Sequence, residues 1–135
     1  MKREMVRDWL ESAHTDLRVM EELAGSEDLT HMVAFHAQQA IEKVLKAYLE
    51  YGGETVPKVH KVATLVQMSG AECGLDPELI GQLDELYIES RYPGEMGLLP
   101  YGRPTLEDAR RFDDAARQVY RWMVEMLEQE NGEKQ

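Results

Sequence analysis

Residues 32–51, M-V-A-F-H-A-Q-Q-A-I-E-K-V-L-K-A-Y-L-E-Y, form the longest uninterrupted amphipathic run in the chain. The run contains no proline or glycine, spans about five helical turns, and is followed at once by Gly52-Gly53. Its apolar residues recur at steps of three and four, so they share one face of a helix. Those residues are Ala34, Ala37, Ile41, Val44 and Tyr48, with Phe35, Ala40 and Leu49 widening the face. So broad an apolar face predicts a helix that packs on more than one side, at the centre of a bundle.

A polar group interrupts this apolar helix. Gln38 and Glu42 stand four residues apart, as do Glu42 and Lys46, which is the spacing at which helical side chains pair. Gln39 and Lys43 lie beside them. Spacing alone favours a solvated stripe with a few packed amides.

The chain has 135 residues, 43% of them hydrophobic and 30% charged, a composition typical of a single globular domain. We expect this domain to span residues 1–128 and residues 129–135 to form a polar, frayed tail. No run approaches the roughly 18 apolar residues that a membrane span needs, so no membrane association is expected.

The N-terminal sequence, M-K-R-E-M-V-R-D-W-L, has charges where a signal peptide has its apolar core, which predicts a cytoplasmic protein. The single Cys73 fits a reducing compartment and excludes a cysteine-based metal cluster within one chain. No zinc-binding spacing or glycine-rich phosphate loop is present, and we expect no metal and no cofactor. The net charge of −11 argues against broad electrostatic attraction to nucleic acid.

The same apolar periodicity predicts four further helices, at residues 2–24, 60–69, 77–91 and 105–128. Thr30 is expected to cap the central helix. Asp76-Pro77 is a start signal for the fourth helix, and Thr105 with Asp108 resembles a capping box. The sequence therefore predicts an all-α bundle of four long helices and one short helix.

Four segments together resemble the HEPN domain family of small helical bundles. They are R-D-W-L-E-S-A-H-T-D-L (7–17), A-F-H-A-Q-Q-A-I-E-K-V-L-K-A-Y-L (34–49), V-P-K-V-H-K-V-A-T-L (56–65) and Y-I-E-S-R-Y-P (87–93). The resemblance covers nearly the whole chain in order. It implies an up-and-down helical bundle that forms a homodimer. It also implies a nucleotide- or RNA-linked role, often beside a minimal nucleotidyltransferase in toxin–antitoxin-like gene pairs.

In such bundles the central helix faces the start of the third helix and the end of the fourth. The resemblance therefore implies a polar ligand-binding site formed by Gln39, Glu42, Lys43, His60, Arg91 and Tyr92.

Many members of the family are metal-independent ribonucleases with an arginine, four to six residues, and then a histidine. Arg91 stands at the arginine position, but Met96, Gly97 and Leu98 occupy the three permitted partner positions, and none of them transfers protons. This departure favours a non-catalytic binding module. One alternative is a ribonuclease toxin in which Arg91 works with a substitute base such as His60. Another is a scaffold module whose only role is helical pairing.

Two further groups of basic residues are weaker candidates for a functional site than the group around His60. Arg7 and His14 fit the arginine–histidine spacing, but they lie about two turns apart in the first helix, so we interpret that match as a coincidence. Arg110, Arg117 and Arg121 lie along one side of the last helix. Acidic residues are interleaved with them, which favours a salt-bridged, solvated face over a phosphate site.

Overall fold

The computed structural model describes residues 3–89 and 102–133. Within these residues the chain forms five α-helices, with one 3-10 turn and no strand between them. The helices are α1 (Arg3–Leu23), α2 (Thr30–Tyr51), α3 (Val62–Ser69), α4 (Pro77–Glu89) and α5 (Leu106–Glu133), and the 3-10 turn is Glu27–Leu29. The predicted all-α bundle of four long helices and a short one is confirmed.

Helix α2 is the centre of the bundle, as its broad apolar face predicts. It packs against each of the other four α-helices, whereas α1 meets only α2 and α5 extensively. Ala34, Ala37, Ala40 and Ala47 of α2 are almost completely buried. Alanine on several sides of one helix lets its neighbours approach closely, so α2 is enclosed rather than seated at the surface.

Each helix places at least one completely buried side chain in a common core. One such residue from each helix, in chain order, is Met20, Ile41, Leu65, Leu83 and Phe112, all 0% exposed. Burial of side chains of this size stabilises a fold by about 1.5–3 kcal/mol each. The core therefore ties all five helices together.

Two of the predicted helix starts are confirmed by their hydrogen bonds. The Glu78 amide donates to Asp76 Oδ1 at 3.2 Å, and Pro77 is the first residue of α4. The Asp108 amide donates to Thr105 Oγ1 and the Thr105 amide donates to Asp108 Oδ2, each at 3.0 Å. This reciprocal pair is a capping box in which aspartate replaces glutamate.

The predicted capping role of Thr30 is wrong. The 3-10 turn leads directly into α2, so Thr30 is already the first residue of the helix and Leu29 occupies the N-cap position. The Thr30 hydroxyl instead donates to the Pro104 carbonyl oxygen at 2.6 Å. Thr30 therefore joins the start of α2 to the connection that precedes α5.

Helix α5 also continues beyond its predicted end near Glu128, through Glu133. Glu130 pairs with Arg3 at the start of α1, with 3.7 Å between Oε1 and Nη2. The polar segment that was expected to be a frayed tail is thus helical as far as it is described.

No helix in residues 3–89 or 102–133 is both long and apolar enough to cross a bilayer.

Candidate functional site

The imidazole of His60 lies beside the carboxylate of Glu42. His60 belongs to the connection between α2 and α3, and its Nδ1 is 3.2 Å from Glu42 Oε2 and 3.4 Å from Oε1. The side chain of Glu42 is 6% exposed, whereas that of His60 is 46% exposed. A buried carboxylate therefore holds a half-exposed imidazole, and the structure brings these two predicted site residues together.

Gln38 holds the main chain of His60 by a hydrogen bond. Its Nε2 donates to the His60 carbonyl oxygen at 2.6 Å and lies 3.3 Å from Glu42 Oε1. Gln38 is almost completely buried, and an unpaired buried amide costs about 1–3 kcal/mol, so both bonds hold the connection against α2. Gln39 donates to Gln38 Oε1 at 2.7 Å and thus reaches His60 only through Gln38.

Lys46 neutralises the buried charge of Glu42. Its Nζ donates to Glu42 Oε2 at 3.1 Å, and both side chains are 6% exposed. The same ammonium group lies 5.5 Å from the centre of the Trp9 ring of α1, a cation–π distance. The spacing predicted a solvated stripe, and this prediction is wrong for Gln38, Glu42 and Lys46, which are buried. The neighbouring elements cover them, and their charges are paired.

Lys43 contacts a different element. Its Nζ donates to Asp16 Oδ2 of α1 at 2.7 Å, and Asp16 Oδ1 is 2.9 Å from His36 Nδ1. Consecutive residues of a helix diverge by about 100°, which explains why Lys43 and its neighbour Glu42 reach different partners. The structure does not bring Lys43 to the imidazole of His60.

Helix α4 shapes the other side of the His60 region. Asp84 accepts hydrogen bonds from the amides of Val62, at 2.7 Å to Oδ1, and Ala63, at 3.0 Å to Oδ2. It therefore caps the first turn of α3 from another helix. Less than one turn further along α4, the Tyr87 ring lies 5.8 Å from the His60 ring at a 37° tilt. Helix α4 thus positions both α3 and one side of the imidazole.

A family model described as HEPN domain matches residues 6–127. The chain belongs to the HEPN domain family. It is similar to the protein in the crystal structure of TT1696 from Thermus thermophilus, with 30% sequence identity and a TM-score of 0.69, over 93% of this chain and 98% of that chain. No curated protein matches the sequence.

Two buried carboxylates of this HEPN domain were missed by the sequence analysis. Asp16 lies between Ala13 and Met20 on the apolar face of α1, and Asp84 lies four residues after Ile80 on that of α4. A carboxylate at a core-facing position requires a partner, and this pattern is visible in the sequence. The partners come from other elements, however, so helical spacing alone does not identify them.

Arg91 and Tyr92 lie outside the described residues, because α4 is described only through Glu89. Their participation in the site stays a prediction. The described residues contain no group of three or more histidine, cysteine, aspartate or glutamate side chains placed to hold a metal ion.

The chemistry available at this site centres on the second nitrogen of His60. With Glu42 beside Nδ1, the proton of a neutral imidazole is held at Nδ1, which leaves Nε2 as a hydrogen-bond acceptor. A protonated imidazole presents an Nε2 donor and a positive charge. The arrangement is therefore suited to binding an anion or to moving a proton.

Proposed function

We propose that this HEPN domain is a non-catalytic binding module that recognises a nucleotide at the face around His60. The observation that carries the proposal is the fixed, half-exposed imidazole, which the buried Glu42 holds at 3.2 Å. The buried Asp16 holds the imidazole of His36 in the same way, but that side chain is 20% exposed against 46% for His60, so His60 is the more accessible of the two.

The contacts around His60 support recognition of a nucleotide in particular. Its main chain is bonded to Gln38 and its ring lies against Tyr87. A pre-oriented imidazole loses little conformational entropy when it binds a phosphate, and neighbouring rings offer a base a stacking surface. Since Arg91 follows in the sequence soon after Tyr87, we include it as a phosphate-contacting residue.

The wider role that we propose follows from the family. We infer that the domain forms a homodimer in the cytoplasm and acts as one half of a two-component, toxin–antitoxin-like system. A minimal nucleotidyltransferase is the other half. The missing histidine after Arg91 supports binding rather than cleavage, because Met96, Gly97 and Leu98 cannot transfer a proton.

A second candidate function is a metal-independent ribonuclease that uses His60 as its base together with Arg91. One observation favours it: a carboxylate beside Nδ1 is the arrangement that orients catalytic histidines and leaves Nε2 to accept a proton. It predicts cleavage of single-stranded RNA in the presence of EDTA, with the activity lost in His60→Ala. Intact RNA after prolonged incubation would exclude this candidate and leave the binding role.

Calorimetric titration of the full chain with ATP tests the nucleotide site. We expect binding by the natural protein and by Thr55→Ala, a control in the same connection with an exposed side chain. His60→Ala is expected to weaken binding by about tenfold or more, the loss of one charge-assisted hydrogen bond. Equal affinity of His60→Ala and the natural protein would show that His60 does not contact the nucleotide.

The two-component role needs a separate measurement. Native mass spectrometry of the complex captured from the protein's own cells gives the masses and stoichiometry of its subunits. We expect two copies of this chain together with a protein of nucleotidyltransferase size and sequence. A homodimer alone would contradict the two-component role without affecting the nucleotide site.

A further inference from the structure

A groove runs between α1 and α5, and none of its lining residues belongs to the His60 site. It consists of two adjoining cavities of about 630 and 560 Å³, and both are lined by His14 and Tyr120. Cavities of this size accommodate ligands rather than single waters. Both cavities are lined by α1 and α5 alone and meet at these two residues, so we treat them as one continuous surface, the α1–α5 groove.

The α1 wall of the groove is a row of regularly spaced polar side chains. Arg3, Arg7, Glu11, His14 and Arg18 follow one another at steps of three and four, so they share one face of the helix. From first to last the row extends about 22 Å along the helix axis. A long, narrow ligand fits such a row better than a compact one.

The α5 wall adds an aromatic contact at the middle of the row. The Tyr120 ring lies 5.8 Å from the His14 ring at a tilt of 41°. Burial raises the pKa of the Tyr120 phenol, so this side chain stays uncharged at neutral pH. The junction of the two cavities therefore presents two neighbouring rings.

The groove is much less acidic than the chain as a whole. Five arginines line it against four carboxylates, in a protein whose net charge is −11. Arg3 pairs with Glu130, and Arg117 donates to Asp113 at 2.6 Å. The other three arginines have no ion-pair partner among the described residues; they are Arg7, Arg18 and Arg121. Three exposed guanidinium groups are thus available to an anion.

We propose that the α1–α5 groove binds a single-stranded nucleic acid. Its phosphates contact Arg7, Arg18 and Arg121, and a base stacks at the ring pair of His14 and Tyr120. An acidic peptide would match the arginines but would gain nothing from the rings. The inference goes beyond the nucleotide site at His60 and depends on none of its residues. It also gives Arg7 and His14, whose spacing looked coincidental, a shared binding surface.

Fluorescence anisotropy with labelled hexauridylate tests the phosphate contacts. Three released counterions predict that the affinity falls roughly 20-fold between about 50 and 200 mM salt. The triple variant Arg7→Ala, Arg18→Ala, Arg121→Ala is expected to lose most of the affinity and nearly all of this salt dependence. Lys58→Ala is the control, because Lys58 is an exposed cation that lines neither cavity of the groove. Unchanged binding by the triple variant would overturn the proposal.

Stacking is tested with Tyr120→Leu and, if that variant does not fold, with His14→Ala, whose side chain is exposed. Either substitution is expected to lower the hexauridylate affinity by about fivefold or more and to leave binding of a base-free hexaphosphate unchanged. Tighter binding of hexaglutamate than of hexauridylate, or equal binding of hexaphosphate, would contradict the nucleic-acid assignment. His60→Ala must bind hexauridylate normally; if that variant alone loses binding, the groove is excluded while the His60 site stands.

Discussion

The carboxylate of Glu42 and the imidazole of His60 form a hydrogen-bonded pair that joins the interior of the bundle to its surface, with 3.2 Å between Oε2 and Nδ1. Glu42 accepts from Lys46 and Gln38 as well, so its charge is fully partnered inside the bundle. The site is therefore part of the structural framework, and changes to its buried half have consequences for stability.

Glu42→Gln is expected to lower the free energy of unfolding by about 3 kcal/mol or more. The substitution keeps the shape but leaves the Lys46 ammonium buried without a counter-charge, and broken buried pairs are costly. Urea denaturation measures the effect, with the exposed Glu85→Gln of α4 as the control. Adding Lys46→Met should recover most of the loss. A change below about 1 kcal/mol in the single variant would show that the pair is not a buried charge pair.

Asp84→Ala is expected to loosen the start of α3. Two amides, those of Val62 and Ala63, lose their acceptor, at a cost of about 1–3 kcal/mol. Hydrogen exchange should show faster exchange of these two amides and of the following turn, with the α5 amide of Val119 still protected. Unchanged protection at Val62 would mean that Asp84 does not cap this helix.

The two phenylalanines of the chain should differ strongly in their effect on stability. Phe112 is 0% exposed in the shared core, so Phe112→Ala is expected to cost about 3–5 kcal/mol. Phe35 is only partly buried on α2, and Phe35→Ala should cost clearly less. Thermal or chemical denaturation of both variants checks the order. Equal losses would contradict the placement of the core.

His31 is expected to make the fold less stable as the pH falls below 6.5. Burial lowers the pKa of its imidazole below the ordinary 6.5, Arg103 lowers it further, and Asp28 partly offsets both. Above pH 6.5 the ring is neutral in both states and contributes no pH dependence. Between pH 6.5 and the lower folded pKa, only the unfolded chain takes up the proton, so folding stability declines.

An NMR titration of the His31 imidazole measures this pKa directly. The free energy of unfolding of His31→Gln should also fall less than that of the natural protein between about pH 7 and 5. A folded pKa at or above 6.5 would contradict the burial of this ring.

Much of the architecture was predictable because it depends on local rules. The apolar period of residues 32–51 predicted the central helix, and Asp76-Pro77 and Thr105 with Asp108 predicted two helix starts. Thr30 failed as a cap because a preceding 3-10 turn moved the helix start, which the local pattern does not show.

The candidate site was only partly predictable, because its contacts join distant parts of the chain. Glu42 and His60, both named from the sequence, do lie together. Lys43 was expected beside them, but its nearest anion is Asp16 of another helix. Asp84 escaped prediction for the same reason: its partners are the amides of α3, and no spacing within α4 points to them.

His60 is the central residue of the proposed nucleotide site, and imidazole NMR tests its role directly. The chain has four histidines in different surroundings, namely His14, His31, His36 and His60, so each serves as a control for the others. On titration with AMP, we expect the Nε2 signal of His60 to shift until the site is saturated, while the signals of His31 and His36 stay in place. An unshifted His60 at saturating AMP, or a shift confined to His14, would contradict the proposed site.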